Sequence, residues 1–419
     1  MRSNFLFARS MALALMAIGT VACISSDTYA ANRTWTPTTG SITTSGKWGT
    51  AQIYATNWNS TANPVTNPTA DDTAIFSSAS NRTITTLPNT LAIKNIVIGG
   101  SGNNTFSNTI GASIVISGSG SPAIAISNTS AGVQLFNTRV VFTGATSTVQ
   151  STAGALNFGG GGVDLAGNYL KGIGNITQGS LGSSVAGATY EVVSGTQTVT
   201  FASDNGGNVG TMVVNGGRVS ADGTSATDLT VSGGTYVGGG TYKNVVSSSG
   251  QVFIDAGEVL STNNFVQTAG GSMVMNVNDD LSNSQVFGNY QLGGSFELDA
   301  ALLSSSVYPL GTKWALFSGV NFTSGSASAA NAGSNFSSFA MSNSSVQSPY
   351  YGTFTRYGQE WLSPKATDGT FLVFQAATGN LVVVPEPSTM VFAGLGVAMS
   401  GWTMWKKRRL SKLLAAKAG

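Results

Sequence analysis

Apolar residues fall at alternate positions in short runs along most of this chain, over residues 93–98, 112–116, 123–126, 133–136, 139–142, 189–193, 198–201, 212–214, 251–254 and 272–277. A period of two predicts half-buried β-strands, and the Gly-Gly, Ser-Gly and Asn-Gly pairs between the runs predict turns. Helical periodicity is nearly absent from the body. Further strands are expected at 371–374 and 381–384, with a turn leading into a strand over 308–317.

The middle of the chain repeats. Gly216-Gly217-Arg218-Val219, Gly233-Gly234-Thr235-Tyr236, Gly239-Gly240-Thr241-Tyr242, Gly270-Gly271-Ser272-Met273 and Gly293-Gly294-Ser295-Phe296 each open a strand with two glycines, a polar residue and an apolar one. Steps of 17, 21 and 23 residues, from Gly217 to Gly234, Gly250 to Gly271 and Gly271 to Gly294, suit one coil of a parallel β-helix, although Gly240 breaks the spacing. The expected fold is all-β: a right-handed parallel β-helix with β-rich caps at both ends. A β-sandwich with glycine-rich hairpins is the alternative. The serine-rich stretch 321–348 reads as a long loop or linker.

Both termini read as targeting segments. Arg2 and Arg9, the apolar run 11–21 and Thr28-Tyr29-Ala30 form a signal peptide over residues 1–30. Cys23, the sole cysteine, weakly resembles a lipidation site and is otherwise lost with that peptide. Near the other terminus the run 388–405 carries no charge. As a helix it is about 27 Å long, enough to cross a hydrocarbon core. Lys406, Lys407, Arg408 and Arg409 follow it and hold the C-terminus in the cytoplasm, while Trp402 and Trp405 suit the headgroup boundary.

The order Pro385-Glu386-Pro387, hydrophobic helix, basic cluster resembles the PEP-CTERM sorting signal of exopolysaccharide-producing Gram-negative bacteria. That resemblance implies recognition of Pro385, Glu386 and Pro387 by exosortase, an intramembrane cysteine transpeptidase that removes the helix and basic tail. A second resemblance rests on Trp35, Lys47-Trp48, Asn57-Trp58, the segment 67–76 and the strand with its glycines at 91–100. It is to exported proteins with autotransporter-associated β-strand repeats, and it implies a β-helical body without an established catalytic site. Here Thr and Ser partly replace the glycines usual around the first tryptophans.

Composition narrows the chemistry. The 419 residues include no histidine, which excludes Ser-His-Asp triads, imidazole bases and histidine metal sites. Only 9% of residues are charged. Between Ala31 and Val384 there are 11 basic and 15 acidic side chains, so the body gives no nucleic-acid footprint. Asp279-Asp280 is the best carboxylate pair for glycan chemistry, but adjacent strand residues point to opposite faces. Asp204, Asp222, Asp228 and Asp255 are scattered without a calcium repeat. No metal and no cofactor is expected. Trp35, Trp48 and Trp58, with Tyr54, suit either a stacking platform for sugar rings or the packing of an N-terminal cap.

The layout expected from these features is a signal peptide (1–30), an N-terminal β-rich region that begins the β-helix (31–155), glycine-rich coils (156–300), a C-terminal β-rich cap with its Ser-rich loop (301–384), the sorting signal (385–409) and a cytoplasmic tail (410–419). The expected function is that of a non-enzymatic surface or extracellular-matrix protein, exported through the Sec translocon, anchored in the inner membrane by its helix, sorted by an exosortase-like enzyme and associated with exopolysaccharide. The alternatives are a carbohydrate-binding module or a carbohydrate-active enzyme on the same scaffold.

Overall fold

The computed structural model describes residues 32–35, 46–48 and 58–60 and, apart from 79–80, 87–89, 109–112, 118–123, 203–208, 223–226, 280, 282, 304–307, 319–335 and 343–347, residues 72–386. The signal segment with Cys23, Pro387, the run 388–405, Lys406, Lys407, Arg408, Arg409 and the tail 410–419 lie outside these. Among the described residues no helix is long and apolar enough to cross a membrane.

The body is a β-solenoid whose strands pair in parallel with the strands one coil before and after. On one face Ala74, Ile96, Ile126, Val149, Gly172, Val192, Val214, Val231, Ser247 and Gln267 lie in register, one above another. On the next face Leu156, Ile176, Gln197, Val219, Tyr236, Val252, Met273, Phe296 and Phe339 form an equivalent column. A third, shorter face stacks Leu91, Ile114, Val140, Val163, Leu181 and Phe201. Partners in successive coils are as little as 16 residues apart, as at Asp228 and Asn244, and as much as 43, as at Phe296 and Phe339, so coil length varies at the corners while the strands keep their register.

Alternation explains the core. Each strand turns every second side chain inward, and the inward residues of successive coils meet. Phe106 and Phe136 stack at 4.4 Å and Phe136 and Phe158 at 5.1 Å, while Phe76 meets Phe106 edge-on at 5.0 Å. These rings are buried, which removes a large apolar area from water and adds favourable aromatic geometry. Inward polar groups find one another: Asn104 Nδ2 donates to Gln134 Oε1 at 2.7 Å and Asn128 Nδ2 to Ser151 Oγ at 2.9 Å.

The abundance of Ser and Thr has a structural use. At the corners Ser117, Thr143, Thr129, Thr152 and Ser248 donate hydroxyl hydrogen bonds to the carbonyls of Ile93, Ile116, Ile98, Asn128 and Val231 in the preceding coil. The paired glycines serve close approach. Gly294 has φ of 61°, and a Cβ there would lie 2.0 Å from the carbonyl oxygen of Gly271, its counterpart one coil earlier. The register explains the repeat spacing, since Arg218 pairs with Thr235, Gln251 with Ser272 and Ser272 with Ser295. Gly240 breaks the spacing because it opens a strand on another face, paired with Leu260.

Two readings change. The run 93–98 is not one strand: a bend at Lys94 divides it between Leu91–Ile93 and Asn95–Gly100 on different faces, which lets both Ile93 and Ile96 point inward. The stretch 321–348 is not only loop, because Ser338–Ser342 pairs in parallel with Ser295–Leu302 and buries Phe339 and Met341. Serine-dominated composition concealed a strand carried by two apolar residues.

Both ends of the ladder are covered. At the start Asn32–Trp35 pairs in parallel with Thr73–Ser78 on one side and antiparallel with Trp58–Ser60 on the other. At the finish stands a five-stranded antiparallel sheet ordered Lys313–Ala315, Asn380–Pro385, Thr370–Gln375, Glu360–Leu362, Thr355–Tyr357. Aromatic rings join it to the solenoid. Phe339 stacks on Phe354 at 4.2 Å, and Phe296 lies 4.5 Å from Phe336 and 5.9 Å from Phe374. Covering the last coil hides its unpaired edge from other chains.

Phe136→Ala is expected to cost about 3–5 kcal/mol, since the cavity opens between two other rings. Chemical denaturation of the purified protein measures it. A loss below about 1 kcal/mol would show that the ring column does not carry the N-terminal coils.

Candidate functional site

Two places on the molecule gather polar or exposed groups into a definite geometry. The first is a continuous outer face of the solenoid. Its central column reads Lys171, Glu191, Val213, Thr230, Val246, Val266 and Gln291, one residue per coil. Along one side runs an amide ladder: Asn244 Nδ2 donates to Asp228 Oδ1 at 2.8 Å, Asn264 Nδ2 to Asn244 Oδ1 at 2.8 Å, and Asn289 Nδ2 to Asn264 Oδ1 at 3.5 Å. The other side carries Asn215, Ser232, Ser248 and Thr268, with Ser232 Oγ donating to Asn215 Oδ1 at 3.4 Å and Thr268 Oγ1 to the Ser248 carbonyl at 2.8 Å.

This is a striped surface with amides on one side, a mixed column that holds Val213, Val246 and Val266 in the middle, and hydroxyls on the other side, repeating at the strand spacing of about 4.8 Å. Asp228 is the acidic end of the amide ladder, and its carboxylate sets the direction in which the amides donate. Asn244 and Asn264 each use one donor and one acceptor on their neighbours and Asn289 uses one donor, which leaves further donor and acceptor capacity for an outside ligand. The sequence concealed the ladder, because its members are separated by 16, 20 and 25 residues and lie on no shared motif.

One end of this face holds a charged cluster. Glu191 accepts a hydrogen bond from the Tyr169 hydroxyl at 2.6 Å and from Asn215 Nδ2 at 3.1 Å, and the Lys171 ammonium stands 3.6 Å from it. Burial works against the charged carboxylate, but the Tyr169 and Asn215 hydrogen bonds and the Lys171 charge outweigh it and hold Glu191 below the usual carboxylate range. Burial and the same carboxylate push the Tyr169 hydroxyl up to about 12.

The second place is the end of the last strand. Pro385 pairs with Thr370 in the antiparallel sheet, and Glu386 accepts an ion-paired hydrogen bond from Lys365 Nζ at 2.7 Å. Two residues of the sequence motif are therefore part of the folded cap, and Pro387 lies beyond the described residues. Residues 383–409 match the PEP-CTERM protein-sorting motif. Proteins with this sorting motif are exported and sorted to the cell surface by exosortase. No curated protein and no solved structure matches the chain.

Among the tryptophans, Trp35 and Trp58 pair directly across antiparallel strands, and Trp48 pairs with Thr86 on the neighbouring face. The backbone thus brings all three to one end of the solenoid. Of the acidic pair, Asp279 accepts from the Tyr308 hydroxyl and Asp280 lies outside the described residues. Among the described residues no group of three or more His, Cys, Asp or Glu could hold a metal ion.

The Glu191 cluster predicts a stability window. The lowered carboxyl contributes fully above its unfolded value of about 4.3 and is lost as pH falls through the folded value. The raised tyrosine contributes fully below about pH 10 and is lost as pH rises through about 12. Melting temperatures across pH should therefore drop more steeply at the acid end for the native protein than for Glu191→Gln. Parallel acid limbs would remove the cluster as a stabilising unit.

Proposed function

We propose that this protein is a non-enzymatic, exported β-solenoid of the cell surface or extracellular matrix, anchored for a time in the inner membrane by the run 388–405 and handed over by an exosortase-like transpeptidase. The observation that carries the reading is the match over residues 383–409, which continues without a linker from the last cap strand. The signal-peptide pattern over residues 1–30 supports export through the Sec translocon.

A structural rather than catalytic role is supported by the carboxylates. Asp164 is engaged by Arg139 and by two backbone N–H groups, Glu191 by Tyr169 and Asn215, Asp228 by Asn244, Asp279 by Tyr308, Glu297 by Ser342 and Asp368 by Thr370. Each of these is tied into the scaffold by hydrogen bonds. The bulk of the surface offers hydroxyls and amides with little charge, which suits contact with neutral polysaccharide.

A second reading, a carbohydrate-binding module, is favoured by the striped face. Amides and hydroxyls flanking a column that includes Val213, Val246 and Val266 match a sugar chain that is polar at its edges and apolar on its ring faces. Trp35, Trp48 and Trp58 are the other candidates for that role. The exopolysaccharide of the producing cell is the ligand class both readings point to.

Glu386→Ala should leave the precursor unprocessed in the inner-membrane fraction, and mass spectrometry of the C-terminal peptide reads the result. A variant that matures normally removes the sorting reading. For the surface, Asn264→Ala should weaken retention of the mature protein on the host exopolysaccharide by several-fold, whereas Trp48→Ala and Trp58→Ala should do so only if the N-terminal end is the contact. Retention unchanged in all three variants counts against polysaccharide contact.

A further inference from the structure

We infer that the end of the cap sheet around Pro385 is a membrane-seating rim, in which Leu310 and Tyr351 enter the headgroup layer of the bilayer and stand the solenoid directly on the membrane. The inference rests on the proposed reading that residues 388–405 span that membrane.

Three segments converge on this end. The N–H of Gly311 donates to the Val383 carbonyl at 2.9 Å and the N–H of Val383 to the Thr312 carbonyl at 2.9 Å, which fastens the turn carrying Leu310 beside the last strand. Thr370 pairs with Pro385, and the Tyr350 hydroxyl shares a 2.8 Å hydrogen bond with Thr370 Oγ1. Tyr351 stands between Tyr350, which bonds Thr370, and Gly352, where a Cβ would lie 3.2 Å from Pro364 Cγ. Leu310 and Tyr351 are nevertheless 60% and 51% exposed. Lys365 completes the rim, paired with Glu386 so that the edge carries a neutralised charge.

Chain length decides what covers these side chains. From Pro385 at the strand end to Ser388 at the start of the uncharged run is a tether of three residues, which extends at most about 10 Å. The headgroup layer on each side of a bilayer is itself about 5–8 Å thick. The rim therefore has no room to stand clear of the surface. An exposed leucine, an exposed tyrosine and a lysine are the residue types that such an interface accommodates. Solvent would leave Leu310 and Tyr351 exposed with no gain, whereas lipid headgroups and upper acyl chains receive both.

The test uses the full chain with Cys23→Ser, reconstituted in phosphatidylethanolamine and phosphatidylglycerol vesicles. Single cysteines at Leu310→Cys, Tyr351→Cys and Tyr357→Cys carry an environment-sensitive fluorophore. Tyr357 is the control, because it is 63% exposed in the same sheet but sits at the opposite end of the strands. Headgroup spin-labelled lipid should quench the labels at 310 and 351 at least about twofold, with blue-shifted emission, and leave the label at 357 unquenched. Labels at 310 and 351 that behave like the one at 357 overturn the rim while the chain still floats with the vesicles. A chain that fails to float overturns the spanning segment, and the rim falls with it.

Discussion

Parallel pairing of each coil with the next is the constraint from which the rest of this structure follows. A single coil buries its apolar side only against its neighbours, so every inward position must suit the residue above and below it. Columns such as Phe106, Phe136 and Phe158 satisfy that demand with ring on ring, and columns such as Asn104 with Gln134 satisfy it with hydrogen bonds. Corner length is free by comparison. Coils of unequal length still place Gly271 over Gly250 and Gly294 over Gly271, because the glycine pairs let backbones approach where a side chain would collide.

The same constraint creates two open edges, and both termini are spent on closing them. At the N-terminal end the first parallel strand, Asn32–Trp35, is met by an antiparallel strand, Trp58–Ser60. The C-terminal edge is met by a sheet of different topology, packed through Phe339, Phe354, Phe296 and Phe374. What these solutions leave outside is a striped face along the coils and a sorting motif at the far end of the cap.

Much of this was legible in the chain itself because the signals are local. Alternation over 133–136, 139–142 and 251–254 matches the strands Val133–Phe136, Arg139–Phe142 and Gln251–Ile254, and the ordered tail carries its own motif. What was not legible is non-local or compositionally masked. Lys94 looks like a strand residue until the corner is seen, and Phe339 and Met341 are diluted by serine. The amide ladder consists of asparagines whose partners are set only by the register of whole coils. Pro385 and Glu386 read as sorting-recognition residues, and only the fold shows that Thr370 and Lys365, 15 and 21 residues earlier, hold them in the cap.

The position of the last strand within its sheet has a mechanical meaning. Asn380–Pro385 lies between Lys313–Ala315 and Thr370–Gln375, hydrogen-bonded on both sides. Antiparallel hydrogen bonds run across the strands, so tension drawn through Pro385 loads both ladders together in shear instead of opening them one bond at a time. A pull on the chain beyond Pro385 would thus meet a joint that resists it, because the load is shared across two ladders before any single bond gives way.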